Sequence, residues 1–374
     1  MGNGSATVAI RVSPLSIDWV RTALYAVIAA AIFYAFWMQP ALQGLVCYNW
    51  LIGHWSNVSN YSHGPLIPLI ASFLLWWNVS EQGRVQADWR PYWRALAASG
   101  VLLGVWVVGS SINDEWEKAT YYATMRVLPV TFVWQVVALR KHLSTDEAPH
   151  PWHGPLVMGV AMILYWLGIR GAQPRVASVA GLVLMYGLVL SLRGGDVFRK
   201  VFFPISFLFL MVPLDFLDSA IGFPLRMFVA KSATIILNWL GIEAVQRGSG
   251  IISSVFRFDV ADPCSGIRSL MALTTVTAAY GYLMLRTQWK RWLLFLSALP
   301  LAVLGNLARV ISIALVAQVY GQDLATKVYH DWSGFILFPV ALAAMVLFGL
   351  LLNFNYRGLI EKWTQPIAPP VTHE

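Results

Sequence analysis

Of the two cysteines in the chain, Cys264 stands in Asp262-Pro263-Cys264-Ser265-Gly266-Ile267-Arg268-Ser269, where a polar stretch turns into a long apolar run. A cysteine at a helix start meets partial positive charge and free backbone N–H groups, which favour the thiolate and can hold an anion. Arg268 follows one turn along the same face and brings a second positive charge near the sulfur. Gly266 would let a substrate backbone approach closely, with Ser265 beside it. Arg309, in Gly305-Asn306-Leu307-Ala308-Arg309, lies inside another apolar run. An arginine there costs about 2.5–3.5 kcal/mol on insertion scales, so its presence needs a reason. His330, in Tyr329-His330-Asp331-Trp332-Ser333-Gly334, immediately precedes a third apolar run. A thiol nucleophile, an imidazole to move its proton and a cation for an oxyanion are the parts of acyl transfer through a thioester.

Plainer roles stand beside these. A lone cysteine is often a small buried hydrophobe. Arg309 could be a snorkelling or helix-pairing arginine satisfied by Asn306 or a carbonyl, and His330 an ordinary interfacial histidine. Asp331 or Asp262 could orient the imidazole. His63, in Asn60-Tyr61-Ser62-His63-Gly64-Pro65, is a second candidate imidazole, although Ser62 as a helix cap explains that segment without catalysis. Asp114, Glu115 and Glu117 read as a small solvated acidic loop.

The elements that must position these groups are membrane helices. The chain has 374 residues, 58% hydrophobic and only 12% charged, which is too little charge for an ordinary soluble domain. Its 18 Trp recur beside apolar runs, where amphipathic rings anchor helix ends at a lipid interface. The net charge of +8 is scattered in short clusters rather than gathered into a stripe, which excludes a nucleic-acid partner. Two cysteines are too few for a disulfide framework or a Cys-built zinc site, and neither a metal nor a cofactor is expected. No small-residue cleavage site follows the first apolar run, so that run is expected to be retained rather than removed as a signal peptide.

A spanning helix needs about 20 mostly apolar residues. Runs of this kind fall at 18–38, 62–78, 94–110, 121–139, 155–170, 174–192, 200–213, 266–285, 292–318 and 332–353. The fifth and seventh are short enough to form a re-entrant pair, so the expectation is an all-α polytopic integral membrane protein with about ten transmembrane helices, eight at the fewest. Lys and Arg flanking spans mark the cytoplasmic side. With the N-terminus inside, that side receives Arg11/Arg21, Arg84/Arg90/Arg94, Arg140/Lys141, Arg193/Arg199/Lys200, Arg286/Lys290/Arg291 and Arg357/Lys362, while the first outer loop, 39–61, has no Lys or Arg. Residues 1–17 and 354–374 are then cytoplasmic tails around a single transmembrane domain, 18–353. Cys264, His330, His63 and the outer half of the span holding Arg309 share the extracytoplasmic face. The outer segment 214–265 is apolar and patterned. Residues 218–240 read as an interfacial helix ended by Gly241, Gly248-Ser249-Gly250 as a turn, and 251–260 as a short strand or hairpin leading to Cys264.

The order Cys264-Ser265-Gly266-Ile267-Arg268-Ser269, then Asn306-Leu307-Ala308-Arg309, then His330 before a last span resembles the exosortase/archaeosortase family, and the bacterial branch in having His330. The likeness takes in Tyr61-Ser62-His63-Gly64-Pro65 and Gly222-Phe223-Pro224-Leu225, covering the chain from about residue 61 onward. It implies a membrane cysteine transpeptidase in the bacterial cytoplasmic (inner) membrane, with its site on the periplasmic side. By resemblance Cys264 is the nucleophile, with Arg309 and His330 catalytic and Arg268, Ser265, Gly266, His63 and Asn306 supporting. The implied partners are secreted proteins with a C-terminal sorting signal, that is, a Pro-Glu-Pro-like motif, an apolar span and a basic tail. Such a tail would enter laterally from membrane lipid. Proteins of exopolysaccharide production are the other implied partners. Some members carry a fused C-terminal periplasmic domain, which the short tail after the last span leads one not to expect here.

Three rival readings differ in kind. A transporter would bind an anionic solute through Arg309 and Arg268 between broken helices. A lipid- or glycan-modifying enzyme would rest on Asp114, Glu115 or Asp262. A disulfide from Cys47 to Cys264 would make the cysteine structural.

Overall fold

The computed structural model describes residue 34 and residues 47–56, 61–81, 84–143, 152–259, 267–326 and 330–354, with the backbone alone at 218, 219, 330, 331 and 335. These gather into two compact units, one of residues up to 53 with 144–205, the other of 54–143 with everything from 206. Seven helices among the described residues are long and apolar enough to cross a membrane, and the chain is a mostly helical, polytopic membrane protein. The expected first span, 18–38, lies outside the described residues.

In the first unit α1 (Cys47–His54) buries Cys47, Tyr48, Leu51 and Ile52, and α5 (His153–Arg170) forms a hairpin with α6 (Pro174–Phe207). The buried residues of α5 are Gly154, Ala161 and Gly168, all small and spaced by seven. That period keeps one narrow seam facing the partner helix, and small residues on it let two backbones close in. A Cβ at Gly168 would stand 2.6 Å from the Ala177 backbone nitrogen, and one at Gly154 would be 2.6 Å from that of Ser191. The separate runs expected at 174–192 and 200–213 correspond to the two helical stretches of α6, which meet at a kink. The kink is at Gly194, whose non-helical φ of 76° is open to glycine, among the basic residues that had marked a loop.

The second unit holds α2 (Leu66–Val79), the hairpin of α3 (Arg90–Ser110) and α4 (Asp114–Leu139), then α7 (Phe223–Trp239), a small sheet, α8 (Ile267–Met284), α9 (Gln288–Tyr320) and α10 (His330–Asn353). The acidic group at 114–117 is not a free loop. Asn113 caps α4, its side chain accepting from Trp116 N at 2.9 Å, and the three carboxylates occupy the first turn, where the helix dipole favours them. Between α3 and α4, Ser99 Oγ donates to Thr131 Oγ1 and Gln135 Nε2 to Ser99 Oγ, both at 2.7 Å and buried.

The expected interfacial helix is α7. With the π-turn before it, 220–239, it is itself long and apolar enough to span. Gly241 (φ 82°) closes it as expected. The strand-like approach is a three-stranded antiparallel meander of β1 (Ala244–Arg247), β2 (Gly250–Ser253) and β3 (Arg257–Asp259), turning at Gly248 with φ 62°. Its apolar face, with Ile251 and Phe256, packs with Val229, Ala233 and Leu237 of α7 and Val310, Ala314 and Ala317 of α9.

Candidate functional site

Helix directions decide which candidates can meet. Tyr282 Oη, near the end of α8, bonds Asn78 Oδ1, near the end of α2, at 2.9 Å, so these two helices run in the same sense. Gly349, near the end of α10, lies so close to Tyr280 that a Cβ there would be 2.5 Å from the ring, so α10 runs with them too. The turn after α8 sends α9 back the opposite way. Arg291 secures that turn, donating from Nε to Leu285 O at 2.7 Å and from Nη2 to Tyr282 O at 3.2 Å, which satisfies the open carbonyls of the helix end. The starts of α2, α8 and α10 and the end of α9 therefore share one end of the bundle, and the sheet packs on that end.

Arg309 sits on α9 toward that end. Its Nε donates to Ser333 Oγ at 2.9 Å, and Ser333 is fully buried in the first turn of α10. The guanidinium lies along Gly334, where a Cβ would be 3.9 Å from Nη2. Ser333 was not among the residues singled out from the sequence. Its serine-glycine pair one turn after His330 was the available sign, since small residues there let an arginine lie against the helix. A hydrogen bond to a fixed charge is worth about 1.5–3 kcal/mol and offsets part of the cost of holding Arg309 inside the bundle.

A cavity of about 40 Å³ opens beside this pair, lined by Ser269 and Leu273 of α8, Ala302, Gly305, Asn306 and Arg309 of α9, and Gly334 and Phe338 of α10, among others. That is room for a few water-sized groups. Its walls are mostly apolar, with Ser269, Asn306 (6% exposed) and Arg309 as polar features, an arrangement that suits an anionic or carbonyl oxygen.

Cys264, Ser265 and Gly266 lie outside the described residues, as does Asp262. The chain around them is fixed on both sides by the end of β3 at Asp259 and by Ile267, 2% exposed, at the start of α8. Arg268 follows Ile267 in the first turn of α8, close enough to Arg309 for the two like charges to act on each other. His330 is the first residue of α10, one turn before Ser333. His63 lies in a turned segment, 61–65, that leads into α2 at the same end of the bundle, its ring stacked 6.1 Å from that of Tyr61. Its Nδ1 is buried with no hydrogen-bond partner among the described residues. The Tyr61 hydroxyl accepts from Leu214 N at 2.8 Å and Trp55 Nε1 donates to Met211 O at 2.9 Å, so this turn is tied to the segment entering α7. Cys47, by contrast, is a free, buried thiol whose burial pushes its pKa up, the opposite of an activated nucleophile and no partner in a disulfide. Among the described residues no His, Cys, Asp and Glu cluster could hold a metal.

Fold and site together define a polytopic helical membrane protein with an intramembrane arginine beside a small cavity, where several helix starts converge. Matching against family models makes this specific. The model of the transmembrane exosortase matches residues 116–347, well over half the chain, a stretch within which Cys264, Arg309 and His330 fall. The chain belongs to the transmembrane exosortase family. Neither curated proteins nor solved structures give a significant match.

Proposed function

We propose that this protein is a membrane-embedded cysteine transpeptidase or peptidase that removes the C-terminal sorting signal of secreted proteins at the extracytoplasmic face of a bacterial inner membrane. The observation that carries the reading is the Arg309–Ser333 pair, which sets a fixed cation at the converging starts of α8 and α10, the helices that Cys264 precedes and His330 opens. Family membership supports it.

The substrate's own apolar span lies in lipid beside the bundle, presenting its scissile peptide at the interface where that span ends. The Cys264 thiolate attacks the carbonyl carbon, a C–S bond forms, and the carbonyl electron pair moves to oxygen. Arg309 stabilises that oxyanion, with N–H groups at the start of α8 as further donors. The C–N bond breaks, and the leaving amine takes a proton from the His330 imidazolium. The thioester remaining on Cys264 is resolved by an acceptor amine or by water, His330 accepting the proton of the attacking group. Arg268 beside Arg309 adds positive potential that favours the thiolate. Asn306, Ser265, Gly266 and His63 serve as substrate-side supports, and proteins of exopolysaccharide production are the expected company.

The test is processing, in membranes, of a reporter ending in such a motif, apolar span and basic tail. Cys264→Ala should abolish tail removal with the protein still present at wild-type level. Retained function in Cys264→Ala together with loss in Arg309→Ala would instead favour an anion transporter built on Arg309 and Arg268.

A further inference from the structure

The sheet's last strand has an outer edge, and a side chain from elsewhere closes it. Ser253 N donates to Phe256 O at 2.8 Å, so in the alternating antiparallel ladder the next residue, Arg257, turns its N–H and C=O away from β2. Gln322 meets both groups. Arg257 N donates to Gln322 Oε1 at 3.1 Å, and Gln322 Nε2 donates to Arg257 O at 3.0 Å. A side-chain amide that both accepts from and donates to one residue does what a neighbouring strand would do. Gln322 lies in the connection from α9 to α10, just after Gly321 (φ 88°). Ala325, three residues on, is fully buried in the core shared by the sheet and α9. The two chain segments joined by this amide are the one that runs from β3 into Cys264 and the one that runs into His330.

We propose that Gln322 is a positioning residue that acts as a one-residue fourth strand, tying the connection that leads to His330 to the strand that precedes Cys264 and so setting the distance between thiol and imidazole. The proposal rests on the reading of Cys264 and His330 as nucleophile and proton carrier. Gln322 spends its amide on the Arg257 backbone. Its effect is to remove freedom from two segments that must meet within hydrogen-bond reach.

The experiment is the pH dependence of alkylation of Cys264 by iodoacetamide in the full-length, membrane-embedded protein, read from the mass of its own peptide so that Cys47 does not contribute. Wild type and His330→Ala set the scale, since loss of the imidazolium should move the midpoint toward that of a free thiol, about 8.5. Gln322→Ala is expected to move the midpoint in the same direction and to slow alkylation at neutral pH on the order of tenfold, one pK unit. In the His330→Ala background it should add no further shift. Gln322→Glu keeps the acceptor but sets a carboxylate oxygen against Arg257 O, and should behave like Gln322→Ala. A loosened fold would raise access to both thiols, whereas loss of positioning changes the Cys264 midpoint alone. If His330→Ala shifts the midpoint and Gln322→Ala does not, the positioning role is wrong while the thiol–imidazole pair stands. If His330→Ala produces no shift, the pair itself is wrong and the proposal falls with it.

Discussion

Ser99, Thr131 and Gln135 between α3 and α4, and Arg309 with Ser333 between α9 and α10, are both polar clusters inside long apolar helices, but they are built to different ends. The first is neutral, with two bonds of 2.7 Å joining hydroxyls and an amide, and Gln135 Oε1 buried without a partner among the described residues. Such groups hold helices together in lipid, at about 0.6 kcal/mol per interhelical hydrogen bond and rarely above about 1.7. The second carries a permanent charge and borders a cavity. A hydroxyl pair would hold α9 to α10 at far lower cost than an arginine. The difference separates polar residues that serve as adhesive from those kept for chemistry.

Five substitutions, at four positions, would break or sharpen this contrast. Arg309→Ala should lower tail removal by about 10²–10³-fold, the usual loss when one oxyanion donor is removed, at nearly unchanged protein level. Arg309→Lys should recover little of it, because an ammonium keeps the charge but loses the fork that bonds Ser333 and reaches past Gly334. Next, Ser333→Ala should cost roughly tenfold in processing through a wandering guanidinium, read as a fall in turnover more than in substrate affinity. On the adhesive side, Gln135→Leu should lower resistance to denaturant by about 1 kcal/mol and leave turnover per folded molecule as it was. Equal losses of turnover in Gln135→Leu and Ser333→Ala would erase the distinction. The smallest effect is expected at Gly305→Ala, where the new Cβ would stand 3.8 Å from that of Ala341, a normal contact. Stability should hold or rise by a few tenths of a kcal/mol.

Much of this architecture is legible in the sequence because its signals are local. Apolar runs mark the helices, Gly241 marks the end of α7, and Gly248-Ser249-Gly250 marks the hairpin. The basic residues Arg193, Arg199 and Lys200 point to a break between two apolar runs because charge implies water, and the non-helical Gly194 (φ 76°) supplies that break. Arg226 and Lys231 led α7 to be read as interfacial, although its apolar content suffices for a crossing. Asn113 before three carboxylates is a helix start, a capping pattern outweighed in the sequence reading by the acidity of the group.

The residues Cys264, Arg309 and His330 stand out in sequence because each is a costly or reactive type next to an apolar run. Their support does not. Ser333 lies 24 residues from Arg309, and Gln322 lies 65 from Arg257, and no periodicity links residues that meet only when helices and strands pack. The sense in which α2, α8 and α10 run together likewise rests on Asn78 with Tyr282 and on Gly349 with Tyr280, contacts that tertiary packing alone creates.

The central claim is that Cys264 forms a thioester with its substrate. Intact protein in membranes would be mixed with a tailed substrate, quenched with acid, and the Cys264 peptide measured by mass spectrometry. The account predicts an adduct of the substrate segment ending at the scissile residue, released by hydroxylamine and missing in Cys264→Ala. Tail removal that proceeds at the wild-type rate in Cys264→Ala, or an adduct found on another residue, would contradict it.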